Sequence, residues 1–158
     1  MSKSHKGDAA SGPLEEFVTV IIADQLFGLP ISRVSDVFML TDMTVVPLSI
    51  PEIAGVLNLR GRIVTAIDMR QRLGLPPRDS DETAMAVGIE MNRENFGLVI
   101  DHIGDVLHLP VNDFDANPVN LDPRWKSVAQ SIFMLDSELL VILDVDRVLD
   151  LGDREAAA

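Results

Sequence analysis

Residues Phe27 to Leu40 return 69 positions later as Phe96 to Leu109, with seven of the fourteen positions identical and most of the others still apolar. Two copies imply two similar structural halves, and any position where the copies differ becomes a candidate for function. The repeat reads as β-structure. Phe17 to Ala23 is rich in β-branched residues, and Asp24-Gln25 is expected to turn it into Leu26 to Ile31 as a hairpin. In the second copy, Ala86 to Met91 is a strand, Asn92 to Asn95 a turn, and Phe96 to Ile100 the return strand.

A second repeated pair lies further along each half. Ile63-Val64-Thr65-Ala66-Ile67-Asp68 aligns with Leu139-Leu140-Val141-Ile142-Leu143-Asp144, 76 positions on. Each is a short apolar strand ending in Asp. Each runs into one amphipathic turn, Met69 to Leu73 and Val145 to Leu151, followed by Gly74 and Gly152. Asp before a short helix and Gly after it are capping residues, so Asp68 and Asp144 read as N-caps and not as catalytic acids. Many short strands with close turn signals argue for an all-β fold of two small barrels, because closure removes exposed strand edges. Residues 1–14 read as a tail, 15–75 and 84–151 as the two repeats of one domain, Pro76 to Thr83 as a polar linker, Pro110 to Pro123 as a long loop, and 152–158 as a second tail.

Composition narrows the function. Apolar residues make up 47% of 158, a globular and not a disordered balance. No apolar run approaches the ~20 residues of a membrane span, and Met1 to Leu14 lacks the apolar core of a secretory signal, which points to the cytoplasm. With no cysteine, disulfides and Cys-type zinc sites are excluded. A net charge of −12 repels phosphate backbones, and one Trp with no Tyr leaves few surfaces on which bases stack, so nucleic acid is not the expected partner.

The copies disagree most around the second repeated pair. Asn58-Leu59-Arg60-Gly61-Arg62 aligns with Met134-Leu135-Asp136-Ser137-Glu138, setting Arg60 against Asp136 and Arg62 against Glu138; Arg70 aligns with Asp146. Four of the thirteen cations, Arg60, Arg62, Arg70 and Arg72, fall within thirteen residues. One half is therefore expected to present a basic cluster and the other acids, two reversed poles suited to head-to-tail contact with a similarly built partner. The alternative for these arginines is surface ion pairing worth roughly 0–1 kcal/mol. Arg60, between Leu59 and Gly61 at a strand entry, holds a fork-shaped donor on a tight turn and is the preferred functional residue.

Gly55-Val56-Leu57-Asn58-Leu59-Arg60-Gly61-Arg62-Ile63-Val64, followed by Ile67-Asp68-Met69-Arg70, closely resembles the signature of the CheW family of bacterial chemotaxis coupling proteins. The repeat segments and the ending Leu143 to Leu149 fit as well, and the resemblance covers about residues 15–151. It implies two SH3-like five-stranded β-barrels related by a pseudo-twofold, with an apolar groove between them and an exchange of strands between the halves left open. It implies a non-enzymatic adaptor, without cofactor or metal, that links the regulatory domain of a CheA-type histidine kinase to the cytoplasmic tips of chemoreceptors and joins similar domains in rings. Carried over residue by residue, Val34, Asp36, Gly55, Asn58, Arg60 and Gly61 in the first half would contact partners. Gly97, Ile103 and Val106 in the second would help line the receptor groove. The chain departs from the family pattern at Thr65, where proline is usual, at Phe27, where Tyr is frequent, and across Ala129 to Phe133, which usually bears glycine. These departures point to a specialised member, with a non-flagellar chemosensory pathway as the alternative setting.

Two other classes are weighed against this. A metal-dependent enzyme would use His102 and His108 beside Asp101 and Asp105, but these histidines align with Arg33 and Met39, and no His-x-x-x-His, phosphate loop or Ser/His pair accompanies them. A small-ligand barrel would need internal volume that barrels of this size fill with side chains. Val34, Val37, Ile103 and Val106 are each core candidates, of which some must face the groove if it binds a helix. Trp125 is expected to anchor the long loop on the second barrel.

Overall fold

The computed structural model describes residues 13–40, 43–47, 50–77, 84–110, 123–136 and 138–150. The expected loop between Pro110 and Pro123, most of the linker before Ala84, and nearly all of both tails fall outside the described residues. In chain order the elements are β1 (Leu14–Ile22), β2 (Gln25–Pro30), a 3-10 turn (Ile31–Arg33), β3 (Val34–Met39), β4 (Ile53–Leu59), β5 (Arg62–Asp68), α1 (Met69–Arg72), β6 (Met85–Met91), β7 (Glu94–Ile100), β8 (His102–Pro110), α2 (Pro123–Lys126), β9 (Ala129–Leu135), β10 (Glu138–Leu143) and α3 (Val145–Val148). They build two five-stranded sheets, ordered β8-β1-β2-β10-β9 and β3-β6-β7-β5-β4.

The repeat is visible as symmetry. Hairpin β1–β2 corresponds to β6–β7, β3 to β8, β4–β5 to β9–β10, and α1 to α3. Each sheet nevertheless mixes the two copies: β1–β2 lies with β8, β9 and β10, while β6–β7 lies with β3, β4 and β5. The chain thus passes from one sheet to the other through the 3-10 turn and returns through Asp101. Parallel pairing of β10 with β2 and of β5 with β7 closes each mixture.

The hairpins turn in two residues. Ala23-Asp24, Arg60-Gly61 and Asn92-Arg93 all have positive φ, the backbone that matches the twist of the flanking strands. The first turn therefore falls one residue before the expected Asp24-Gln25, and Gln25 opens β2. The second is shorter than expected, with Glu94 and Asn95 already in β7. Asp68 Oδ1 accepts from the backbone N–H of Arg70 and Gln71 at 3.0 and 3.3 Å, and Asp144 Oδ1 from Arg147 N at 3.2 Å, so both acids cap their helices as expected.

The core explains the repeated Phe-Gly-Leu. Phe27, Leu29, Phe96 and Leu98 all enter one large apolar cluster to which both sheets contribute, together with Val18, Val20, Ile22, Ile67, Val87, Ile89, Val141 and Leu143. The alternate residues of the same strands face inward, each to its own sheet. Phe38, Leu57, Val64, Ala66, Ala86 and Val99 fill one interior; Phe17, Leu109, Leu140 and Ile142 fill the other. Period-two alternation gives every central strand these two apolar faces. The glycine between each Phe and Leu points into the strand's own barrel, where there is no room: a Cβ at Gly97 would lie 3.1 Å from Phe38 Cζ, and one at Gly28 would lie 2.9 Å from Ile142 Cδ1.

Candidate functional site

The Arg60 hairpin is built locally. Asn58 Oδ1 accepts the Gly61 N–H at 2.9 Å, bracing the turn between β4 and β5. Arg60 itself stands at φ 54°, with its side chain 68% exposed. A left-handed conformation costs a non-glycine residue about 1 kcal/mol, and the exposed guanidinium makes only one long described contact, 3.4 Å from Nη1 to Asp36 Oδ2. Asp36 is placed by β3. A Cβ on Gly88 of the neighbouring strand would overlap Asp36 Oδ1, so the absent side chain at 88 leaves the space the carboxylate occupies. Gly88 was not among the expected site residues, although a glycine inside a strand pattern is a signal of close approach.

The nine expected site residues fall into three groups. Asp36, Asn58, Arg60 and Gly61 come together at one end of the β3–β7 sheet. Val34 on β3 and Ile103 on β8 are half-buried against the shared cluster, while Val106 is exposed, as is Val37, its equivalent on β3. Val37 pairs with Val87 and Val106 with Val18, both buried members of the shared cluster, so each continues the inter-barrel apolar face to the surface. Gly55 and Gly97 are buried. Gly55 lets the backbone at Thr44 cross β4, since a Cβ there would lie 2.5 Å from the Thr44 carbonyl oxygen.

The expected four-arginine cluster is divided. Arg60 and Arg62 lie exposed on the β4–β5 hairpin, but Arg70 and Arg72 are taken up at the junction between the barrels. Arg70 Nη2 lies 2.5 Å from Asp101 Oδ2 and its Nε 3.3 Å from Oδ1, with the two side chains 13% and 10% exposed. Asp101 also accepts the Ala23 N–H at 2.8 Å, and Arg70 donates to the Pro76 carbonyl at 2.9 Å. Arg72 crosses to the end of α3, donating to the carbonyls of Val148, Arg147 and Asp150 at 2.9, 2.8 and 3.2 Å. Asp146, aligned with Arg70, meets Arg33 at 2.9 Å. The charge reversal at 70 and 146 is therefore used within the molecule and does not form opposite outer poles. The reason is topological: both helices lie beside the points where the chain changes sheets.

Trp125 spans the same junction. Its Nε1 donates to the Leu73 carbonyl at 3.0 Å, and its ring meets Phe27 edge-on at 5.3 Å. The loop it was expected to anchor lies outside the described residues. Phe27 is fully buried, and phenylalanine brings no hydroxyl that would need a partner there. Ser131, aligned with Gly55, is buried, and its Oγ has no hydrogen-bond partner among the described residues. His102 and His108 are exposed, His108 lying 2.7 Å from Glu16 across the β8–β1 pair. Among the described residues no three His, Asp or Glu side chains gather as a metal ligand set, and no helix is long and apolar enough to cross a membrane. An open cleft of about 620 Å³ lies beside the Arg70–Asp101 pair, lined also by Ile21, Ala23, Asp24 and His102.

Two barrels sharing one core, with polar hairpin tips at the surface, define a two-lobed β-barrel module. The solved structure of the scaffolding protein TtCheW from Thermoanaerobacter tengcongensis superposes with a TM-score of 0.79 at 23% identity, covering 89% of this chain and 90% of that one. Its likeness establishes the fold, two SH3-like subdomains. The family model described as the CheW-like domain matches residues 16–152, and the chain belongs to that family. Among its relatives, a probable chemotaxis protein CheW of Rhizobium etli is 26% identical over 142 residues, spanning 90% of this chain and 92% of its own. The chemotaxis protein CheW of Bacillus subtilis is 26% identical over 144 residues, with the same coverage.

Proposed function

We propose that the chain is a non-enzymatic cytoplasmic adaptor that couples chemoreceptor tips to a CheA-type histidine kinase, with Arg60 and Asp36 at the coupling surface. The observation that carries this reading is the Arg60 hairpin. An arginine is held in a left-handed turn by Asn58, with most of its side chain in solvent and a single long described contact to Asp36. That arrangement adds little to stability, because an exposed pair contributes about 0–1 kcal/mol while the backbone conformation costs a similar amount. It does present a planar, multidentate donor in a fixed orientation, which suits a partner's carboxylates or carbonyls. Val37 and Val106, with the half-buried Val34 and Ile103 beneath them, supply the apolar surface a receptor helix would cover.

The test is co-purification of the protein with a CheA regulatory domain and with a receptor-tip fragment, for the parent and for Arg60→Glu. The variant is expected to keep its unfolding free energy within about 0.5 kcal/mol of the parent and to lose at least ten-fold in affinity for one partner. Unchanged binding to both partners rejects Arg60 as a coupling residue; binding to neither partner by the parent rejects the adaptor reading itself.

A further inference from the structure

We infer that the two sheet-to-sheet crossovers form an asymmetric hinge, in which the Arg70–Asp101 pair is a fixed clasp and the Arg33–Asp146 pair is a latch whose release loosens β3. The chain passes between barrels at the 3-10 turn, residues 31–33, and at Asp101. Each crossover carries one charged residue that pairs with the short helix of the barrel being left. Arg33 leaves the β1–β2 sheet and pairs with α3, which follows β10 of that sheet; Asp101 leaves the β6–β7 sheet and pairs with α1, which follows β5. The two crossovers thus carry similar pairs with inverted charge, built from neighbouring and not equivalent repeat positions, since Arg33 aligns with His102 and Asp101 with Ser32.

The two pairs differ in what surrounds them. The clasp is almost buried, and Asp101 is held further by the Ala23 N–H and through its own N–H, which donates to the Ile21 carbonyl at 3.0 Å. The latch is 32% exposed at Arg33 and 68% at Asp146, and none of Ile31 to Arg33 is buried. An exposed pair is screened by salt, whereas a buried pair is much less so. The strand that follows the clasp, β8, is nine residues long and pairs along β1 from Leu14 to Ile21. The strand that follows the latch, β3, has six residues; both strand pairs carry one register break, between Val34 and Asp36 in β3 and between Val18 and Val20 opposite β8. Local opening proceeds where the ties are few and exposed; both strands lie at sheet edges, and the latch side has the shorter strand and the ion pair that stands in water. Because β3 carries Val34, Asp36 and Val37, the latch sets how firmly one surface of the molecule is presented.

Amide hydrogen exchange on the full chain reads this without any partner, so its outcome is independent of the coupling proposal. Asp146→Asn is expected to raise exchange in the β3–β6 ladder about two- to five-fold and to leave the β8–β1 ladder unchanged. Raising salt from about 0.05 to 1 M, where the screening length falls to about 3 Å, is expected to do the same to the parent. The double variant Arg33→Asp with Asp146→Arg is expected to restore parental exchange at low salt. Equal acceleration of β3 and β8, no acceleration at β3, or a failure of the charge-swapped pair to restore protection would each overturn the latch.

Discussion

The 3-10 turn at 31–33 and the junction at Asp101 perform the same topological step in opposite directions, yet one is exposed and the other nearly sealed. At Asp101 a carboxylate gathers an arginine, a hairpin N–H and, through its own backbone, a neighbouring carbonyl. At Arg33 a single described contact of 2.9 Å reaches an acid that is mostly in water. The junctions differ in backbone, a 3-10 turn at Ile31–Arg33 against the single residue Asp101 between β7 and β8, and in how far their ion pairs are withdrawn from water. A related contrast recurs between the equivalent strand pairs β3–β6 and β8–β1. Asp36 lies over Gly88 within reach of Arg60, while at the equivalent position of the other barrel Thr19 donates through Oγ1 to the Asp105 carbonyl at 2.7 Å and occupies the space above Gly104. The glycine and the polar side chain have exchanged strands.

The comparison can be broken most severely at the shared core. Phe27→Ala and Phe96→Ala are each expected to cost about 3–5 kcal/mol in denaturant unfolding, since both rings enter the inter-barrel cluster; a loss at only one of them would mean that the barrels do not share their stability. Asp101→Ala should cost about 3 kcal/mol by leaving Arg70 nearly buried without its carboxylate, and Asp146→Ala less than about 1 kcal/mol. Equal costs would erase the distinction between clasp and latch. Gly55→Ala is expected to cost about 1–3 kcal/mol, because the new methyl meets the backbone carbonyl of Thr44 as well as the Met43 side chain, and the carbonyl cannot swing away. The smallest effect is a gain. Ser131→Ala, at the position aligned with Gly55, removes a buried unpaired hydroxyl and should stabilise by about 1 kcal/mol; a loss of stability there would show that Ser131 Oγ has a partner in solution.

Much of the local structure was legible because its causes are local. Strand positions followed from alternating apolar residues, and the helix caps at Asp68 and Asp144 from residue type and spacing. Turn boundaries were off by one residue at Ala23-Asp24 because alanine in a left-handed turn is an uncommon choice; Asp101, 78 residues away, holds its N–H. At the candidate site, Arg60 stood out because Arg-Gly at a strand entry places a fork-shaped donor on a tight turn, whereas Asn58 entered only through the family resemblance. Gly88 did not, since its importance comes from Asp36 on another strand. The arginine cluster misled because nearness along the chain was read as nearness in space, whereas β5 carries Arg70 and Arg72 to the opposite end from Arg60 and Arg62.

By itself the sequence determined that there are two copies of one β-unit, where their strands and caps lie, and that one hairpin tip carries an arginine the other lacks. Period-two burial and turn chemistry act over a few residues, so they can be read along the chain. The tertiary structure decided which copy's hairpin joins which sheet, and therefore which charges meet. That choice depends on contacts between residues up to 114 positions apart, such as Gln25 with the Leu139 carbonyl, and on the desolvation that makes Arg70–Asp101 a tie and leaves Arg33–Asp146 open to water.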